Sequence, residues 1–122
     1  MTPLVIHDLL QRAPRLRDEA GWEPFRAGVQ IRRLYESEDG GPAAALLRYE
    51  PGASVPAHEH LGYEHILVLD GAQSDEHGSY SAGTFIVNRP NSSHRVASDA
   101  GCVVLIIWEQ GVRFLGLEPR LD

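Results

Sequence analysis

The segment Gly52-Ala53-Ser54-Val55-Pro56-Ala57-His58-Glu59-His60-Leu61-Gly62-Tyr63-Glu64-His65-Ile66-Leu67-Val68-Leu69-Asp70-Gly71 decides how the rest of the chain is read. His58 and His60 are two residues apart, so an extended strand points both imidazoles to one face and turns Glu59 to the other. A short turn at Leu61-Gly62-Tyr63 lets Glu64 open a neighbouring strand, which brings its carboxylate near the two rings. The fourth ligand is expected from His94, which begins a strand after the turn Arg89-Pro90-Asn91-Ser92-Ser93. Three neutral imidazoles and one carboxylate suit a single divalent Zn, Fe, Mn, Ni or Co ion and leave positions open for water or substrate. A lone His-x-His pair is more often surface decoration, but Glu64 and a histidine from a second hairpin shift the balance to a metal. The other zinc patterns fail: no His-Glu-x-x-His occurs, and His60 to His65 is one residue too long for His-x-x-Glu-His.

Outward from this segment the chain alternates short apolar runs with turn signals. Strands are expected at residues 29–35, 44–49, 65–70, 84–88, 94–98, 102–108 and 113–117. The breaks between them carry Gly, Pro or Asn, as in Asp39-Gly40-Gly41-Pro42, Asp70-Gly71 and His77-Gly78. Such close spacing argues for a sandwich or barrel over βαβ units. Only residues 6–16 suggest a helix, and Pro14 limits it to about two turns. The expected fold is all-β, a small antiparallel double-sheet barrel (residues 22–122) behind a short N-terminal helical arm (residues 1–21). Ile66-Leu67-Val68-Leu69 and Val103-Val104-Leu105-Ile106-Ile107-Trp108 are apolar without alternation, so both faces should be covered. A second subunit is the economical cover in a small domain, and a homodimer is expected.

Composition removes several function classes. The formal charge of −6 offers no basic patch for nucleic acid or anionic membrane. All eleven cationic side chains are Arg, so the absent Lys excludes Schiff-base and phosphate-loop lysine chemistry. Cys102 is the sole cysteine, which forbids an intrachain disulfide, and its apolar neighbours make it core. The longest apolar run falls short of the roughly 20 residues of a membrane span, and the first ten residues lack the features of a secretory signal. The cytoplasm is the expected compartment.

Gly52-x5-His58-x-His60-x3-Glu64-x6-Gly71 resembles the first motif of the cupin superfamily at every defined position. Gly83, Pro90 and His94 resemble the second motif with slightly altered spacing, lacking its second glycine and carrying Ser98 where many cupins have Asn. Further stretches, among them Leu46-Leu47-Arg48-Tyr49-Glu50-Pro51-Gly52 and Ser74-Asp75-Glu76-His77-Gly78-Ser79-Tyr80, look like the ChrR-like cupin branch, named after an anti-sigma factor. The resemblance implies an RmlC-like jelly roll of two antiparallel sheets, often dimeric, with the metal near one end. Such anti-sigma factors also carry a zinc-binding His-x3-Cys-x2-Cys helical domain, which nothing before Trp22 resembles, so inhibition of a sigma factor is not expected.

The expected function is therefore a metal-binding cupin, with dioxygenase chemistry on a small oxygenated molecule such as a diketone as the leading reading. A non-enzymatic small-molecule or stress sensor is the alternative, and an isomerase or hydrolase lacks an obvious general base. His65, opposite in direction to Glu64, is expected to pack or meet an interface. His77 is expected in a solvated turn, His7 is incidental, and Tyr63 is a candidate for the pocket mouth. Arg48, Arg89 and Arg95 are the candidates for pairing with an anionic substrate.

Overall fold

The computed structural model describes residues 1–115. Ten strands follow a short arm: β1 (Glu23–Arg26), β2 (Val29–Glu36), β3 (Ala43–Tyr49), β4 (Ala53–His60), β5 (Glu64–Asp75), β6 (Gly78–Ser81), β7 (Phe85–Asn88), β8 (Ser93–Ser98), β9 (Cys102–Trp108) and β10 (Val112–Phe114). Every strand pairing among these residues is antiparallel. The order β1-β2-β3-β9-β5-β8-β4-β10, with β6 and β7 also on β5, curls the sheet into a half-barrel. Strand β5 joins the two layers. Residues 64–71 pair with β9 and residues 72–75 with β6, while Ser74 meets Ala97 of β8.

This long strand corrects one expectation. Asp70-Gly71 reads as a turn, yet β5 continues through it with a register irregularity between Val68 and Asp70. Gly71 adopts φ +77°, and a Cβ there would stand 2.1 Å from the Gly101 carbonyl oxygen. The glycine thus serves a close backbone approach inside the barrel wall rather than a chain reversal. Strands β1 and β6, and the part of β4 before His58, lie outside the expected set; Pro24, Pro56 and the polarity of the segments hide them. The part of the expected strand 113–117 beyond residue 115 lies outside the described residues.

Alternation sorts each strand into an inner and an outer face. Ala45, Leu47 and Tyr49 of β3, Ile66 and Val68 of β5, and Val104 and Ile106 of β9 point into one core with Val29, Ile31, Val55 and Val96. Leu46, Leu69 and Val103 point outward and are nevertheless buried, under Ala13 and Leu16 of the arm. The chain's own N-terminus therefore supplies part of the second cover for which a partner subunit was expected. Full burial of Leu16, at 0% exposure, contributes about 1.5–3 kcal/mol.

The arm is less helical than expected over residues 6–16. One α-turn, α1 (Leu9–Arg12), passes at once into a 3-10 segment, Ala13–Asp18. Pro14 has no N–H to give to an α-helix and sits at the start of the tighter segment, where none is required. Trp22 Nε1 donates to the Leu16 carbonyl at 3.2 Å, and Arg17 reaches Asp70 at 3.0 Å, fixing the arm against the sheet.

Candidate metal centre

The barrel end near β4, β8 and β10 holds the histidines. Val55 and His58 both face inward although three residues apart, because a register irregularity between them, at Pro56-Ala57, re-aims the strand. His58 lies opposite His94 across the β4–β8 pair, and His60 follows on the same face. The ring centroids are 5.2 Å apart for His58 and His60, 4.7 Å for His58 and His94, and 4.6 Å for His60 and His94. One nitrogen from each ring lies within 4.8 Å of the other two, and all three side chains are buried.

Each ring is held by its Nδ1. His58 Nδ1 meets the Pro56 carbonyl at 2.8 Å, and His60 Nδ1 meets the Ser92 carbonyl and hydroxyl, both at 3.0 Å. His94 Nδ1 meets Asp75 Oδ2 at 3.2 Å. Carbonyl and carboxylate oxygens can only accept, so each Nδ1 carries the hydrogen and each neutral ring keeps its lone pair on Nε2. The Nε2 atoms of His60 and His94 are fully buried and have no hydrogen-bond partner. A buried acceptor without a donor is costly, whereas a cation accepts these lone pairs directly. The donor set fits a divalent metal.

Glu64 stands at the edge of this cluster. Its Oε1 is 3.2 Å from His60 Nε2, without the alignment of a hydrogen bond. Asn88 Nδ2 donates to Oε1 at 3.0 Å and Trp108 Nε1 to Oε2 at 2.9 Å. Burial raises the Glu64 pKa, but His60, with the other two histidines, outweighs it once the rings are protonated, and leaves the carboxyl below its ordinary value. Burial is also the main reason that His58 titrates below the usual histidine value, which keeps its lone pair available.

Other expected residues fall elsewhere. His65 turns away from Glu64 and stacks between Tyr63 and Phe85, with centroids 6.4 and 6.0 Å away. His77 and His7 are exposed. Cys102 is fully buried, and burial pushes its thiol up to about 11. None of the three arginines nominated for an anion lines the cavity beside the histidines. Arg48 is spent on Gln30, on the Arg17 carbonyl and on the Trp22 ring, while Arg89 and Arg95 are exposed. Arg26 lines that cavity instead, 3.9 Å above the Phe114 ring, which in turn lies 5.6 Å from His58. Asp75, Ser92, Asn88 and Trp108 also went unnoticed, since only folding brings them to His94, His60 and Glu64.

The family description ChrR Cupin-like domain matches residues 11–111. The chain belongs to the ChrR cupin-like family. This ChrR-like cupin is 32% identical over 110 residues to the anti-sigma-E factor ChrR of Cereibacter sphaeroides, covering 88% of the chain and 50% of that protein. The chain thus spans about half the length of its curated relative. ChrR in the crystal structure of Rhodobacter sphaeroides SigE with that anti-sigma factor is similar too, at 29% identity and a TM-score of 0.65, over 75% of this chain and 49% of that one. An acetylacetone dioxygenase from Acinetobacter johnsonii shares the fold, with a TM-score of 0.75 and 14% identity over 95% of this chain and 78% of that one. Among the described residues of this ChrR-like cupin, no helix is long and apolar enough to cross a membrane.

Proposed function

We propose that this ChrR-like cupin binds one divalent ion through Nε2 of His58, His60 and His94, with Glu64 as the fourth ligand, and serves as a metal-dependent dioxygenase of a small oxygenated molecule. The observation that carries the metal is the pair of buried, partnerless Nε2 atoms on rings whose tautomers are fixed from behind. Such an ion supplies Lewis acidity and, if it is iron, redox contact with O2. The protein's own part is to hold the imidazoles neutral, to orient Glu64 through Asn88 and Trp108, and to keep water scarce with Val55, Ile66, Val96 and Ile106 around the cavity. His60→Ala is expected to remove nearly all bound metal, read by elemental analysis of protein made without an affinity tag. Full occupancy in that variant refutes the assignment. Iron-loaded protein that consumes no O2 across diketones, phenols and thiols removes the dioxygenase reading.

A second reading, favoured by the identity to ChrR, is a small-molecule or stress sensor whose ligand alters contact with a protein partner. Pull-down of a sigma factor by the metal-loaded chain supports it, and its loss on adding the ligand completes the case. In either reading the protein is proposed to be cytoplasmic and a homodimer, joined on the outer sheet face that the arm leaves open at Phe85, Val87 and Ile107. A monomer in sedimentation at micromolar concentration removes the dimer.

A further inference from the structure

The cavity lined in part by His58, Glu64 and His94 has about 60 Å³ of room for the centres of water-sized groups. At about 10–15 Å³ for each such group, it admits only a few heavy atoms. Much of its wall is apolar, from Val29, Leu47, Val55, Ile66, Val96 and Ile106. Two uncharged polar side chains interrupt that wall: Tyr49 of β3 and Gln73 of β5, each 4% exposed. Neither is among the groups that hold the histidines or Glu64.

The run of β5 places this pair relative to the histidines. Gln73 and Asp75 are two residues apart on the strand and share a face, and Asp75 holds His94 Nδ1 at 3.2 Å. Gln73 therefore sits one pleat, roughly 6–7 Å, along the barrel from the group behind His94. Its side-chain amide hydrogen-bonds the Tyr49 hydroxyl in the sense that lowers a phenol's pKa, so Gln73 donates and the phenol oxygen accepts. Burial outweighs this bond and pushes the phenol above its ordinary value, so the O–H is kept. Among the described residues, no acceptor takes the Tyr49 hydrogen and no donor reaches the Gln73 carbonyl oxygen. A buried polar group without a partner is costly. One donor and one acceptor side by side match an alcohol, whose oxygen accepts and whose hydrogen is donated. A methyl group answers neither. A carboxylate offers no hydrogen to Gln73 and would share the cavity with ionised Glu64.

We propose that Tyr49 and Gln73 form a hydroxyl-binding subsite and that the cavity takes a small hydroxylated molecule: its oxygen-donor head lies toward His58, His94 and Glu64, and its alcohol hydroxyl bridges the Tyr49 O–H and the Gln73 carbonyl. The apolar wall between the two ends limits what joins them to a short carbon chain. The inference deepens the metal-cupin reading and rests on it.

Zinc-loaded full-length protein titrated calorimetrically with glycolohydroxamic acid and with propionohydroxamic acid tests it. The two carry the same chelating group and differ only in a terminal hydroxyl against a methyl. Tyr49→Phe keeps the ring and removes the O–H. The preference for the hydroxyl compound should be about fivefold greater in the natural protein than in this variant, the worth of one neutral hydrogen bond, with zinc content unchanged. Should the variant not fold, natural protein carrying 13C at tyrosine Cζ gives the same reading. One of its four tyrosine resonances should then move with the hydroxyl compound and not with the methyl one. Equal preferences in the two proteins, identical 13C responses to the two compounds, or binding of neither to zinc-replete protein overturns the subsite and leaves the metal centre standing. Failure to retain zinc, read separately by elemental analysis, overturns the metal centre and this proposal with it.

Discussion

Replacing Asp75 by asparagine asks whether metal binding depends on the fixed tautomer of His94. Three groups converge on the Asp75 carboxylate. The His77 amide and the Tyr80 hydroxyl donate to Oδ1 at 2.8 and 3.1 Å, and His94 Nδ1 donates to Oδ2 at 3.2 Å. Burial raises the Asp75 pKa, but these donors outweigh it and hold the group ionised, below its ordinary value. Asparagine has the same shape and offers an acceptor on one side only. With its oxygen toward His77 and Tyr80 it satisfies two donors, and its NH2 then faces His94 Nδ1. That nitrogen must accept, and the ring proton moves to Nε2, the atom needed for the metal. Turning the amide around restores the ligating tautomer at the cost of about one hydrogen bond to a charged acceptor, roughly 1.5–3 kcal/mol.

Metal affinity should therefore fall about 10–100-fold, the usual scale for losing such an outer partner. Ser92→Ala is the matched control. It removes one of the two acceptors at His60 Nδ1 and leaves the Ser92 carbonyl at 3.0 Å, so affinity should change by less than about threefold. Competition for zinc against a chromophoric chelator measures both, and circular dichroism of the stripped proteins verifies the fold. If Asp75→Asn binds zinc within about twofold of the natural protein, or if the two variants lose affinity equally, the tautomer argument is wrong.

Acid should act on the metal and on the fold together. The unfolded chain takes up a proton at His58 near 6.5, whereas burial holds the folded value lower. Stability from this group is therefore complete above the unfolded value and is lost as pH falls through the folded one. Urea titrations of metal-stripped protein should show a lower unfolding free energy at about pH 5.5 than at about pH 7.5, and equal values refute the shift. Glu64, also lowered, extends the loss in the same direction at pH values below 4.5. Gly71→Ala should destabilise by about 3 kcal/mol or more, since its Cβ meets the Gly101 carbonyl at 2.1 Å, and a melting temperature within a few degrees of the natural protein contradicts the close-approach account. Leu16→Ala should cost about 2–5 kcal/mol in the same assay, and a negligible change means that the arm does not cap the sheet.

How far these features were legible depends on the range of the interaction behind each one. His58, His60 and Glu64 were readable because period-two geometry and one short turn fix their relation within seven residues. Strand β9 was readable at its observed bounds, since an unbroken apolar run between turn signals has few other homes. Gly71 misled because a glycine chosen for contact with Gly101, thirty residues away, looks locally the same as a turn glycine. The same holds for the arginines. Arg95 directly follows His94, so strand alternation already argued that it turns outward, and it is exposed. Arg26 reaches the cavity from β1, a strand joined to the rest only through β2 and the curl of the sheet. Residues that share a hairpin can thus be read from spacing, whereas the groups around them come from strands whose nearness only barrel closure creates. Variants at Tyr49 and Asp75 accordingly probe the fold's contribution to the site, and variants at His58 or His60 probe the part already written in the motif.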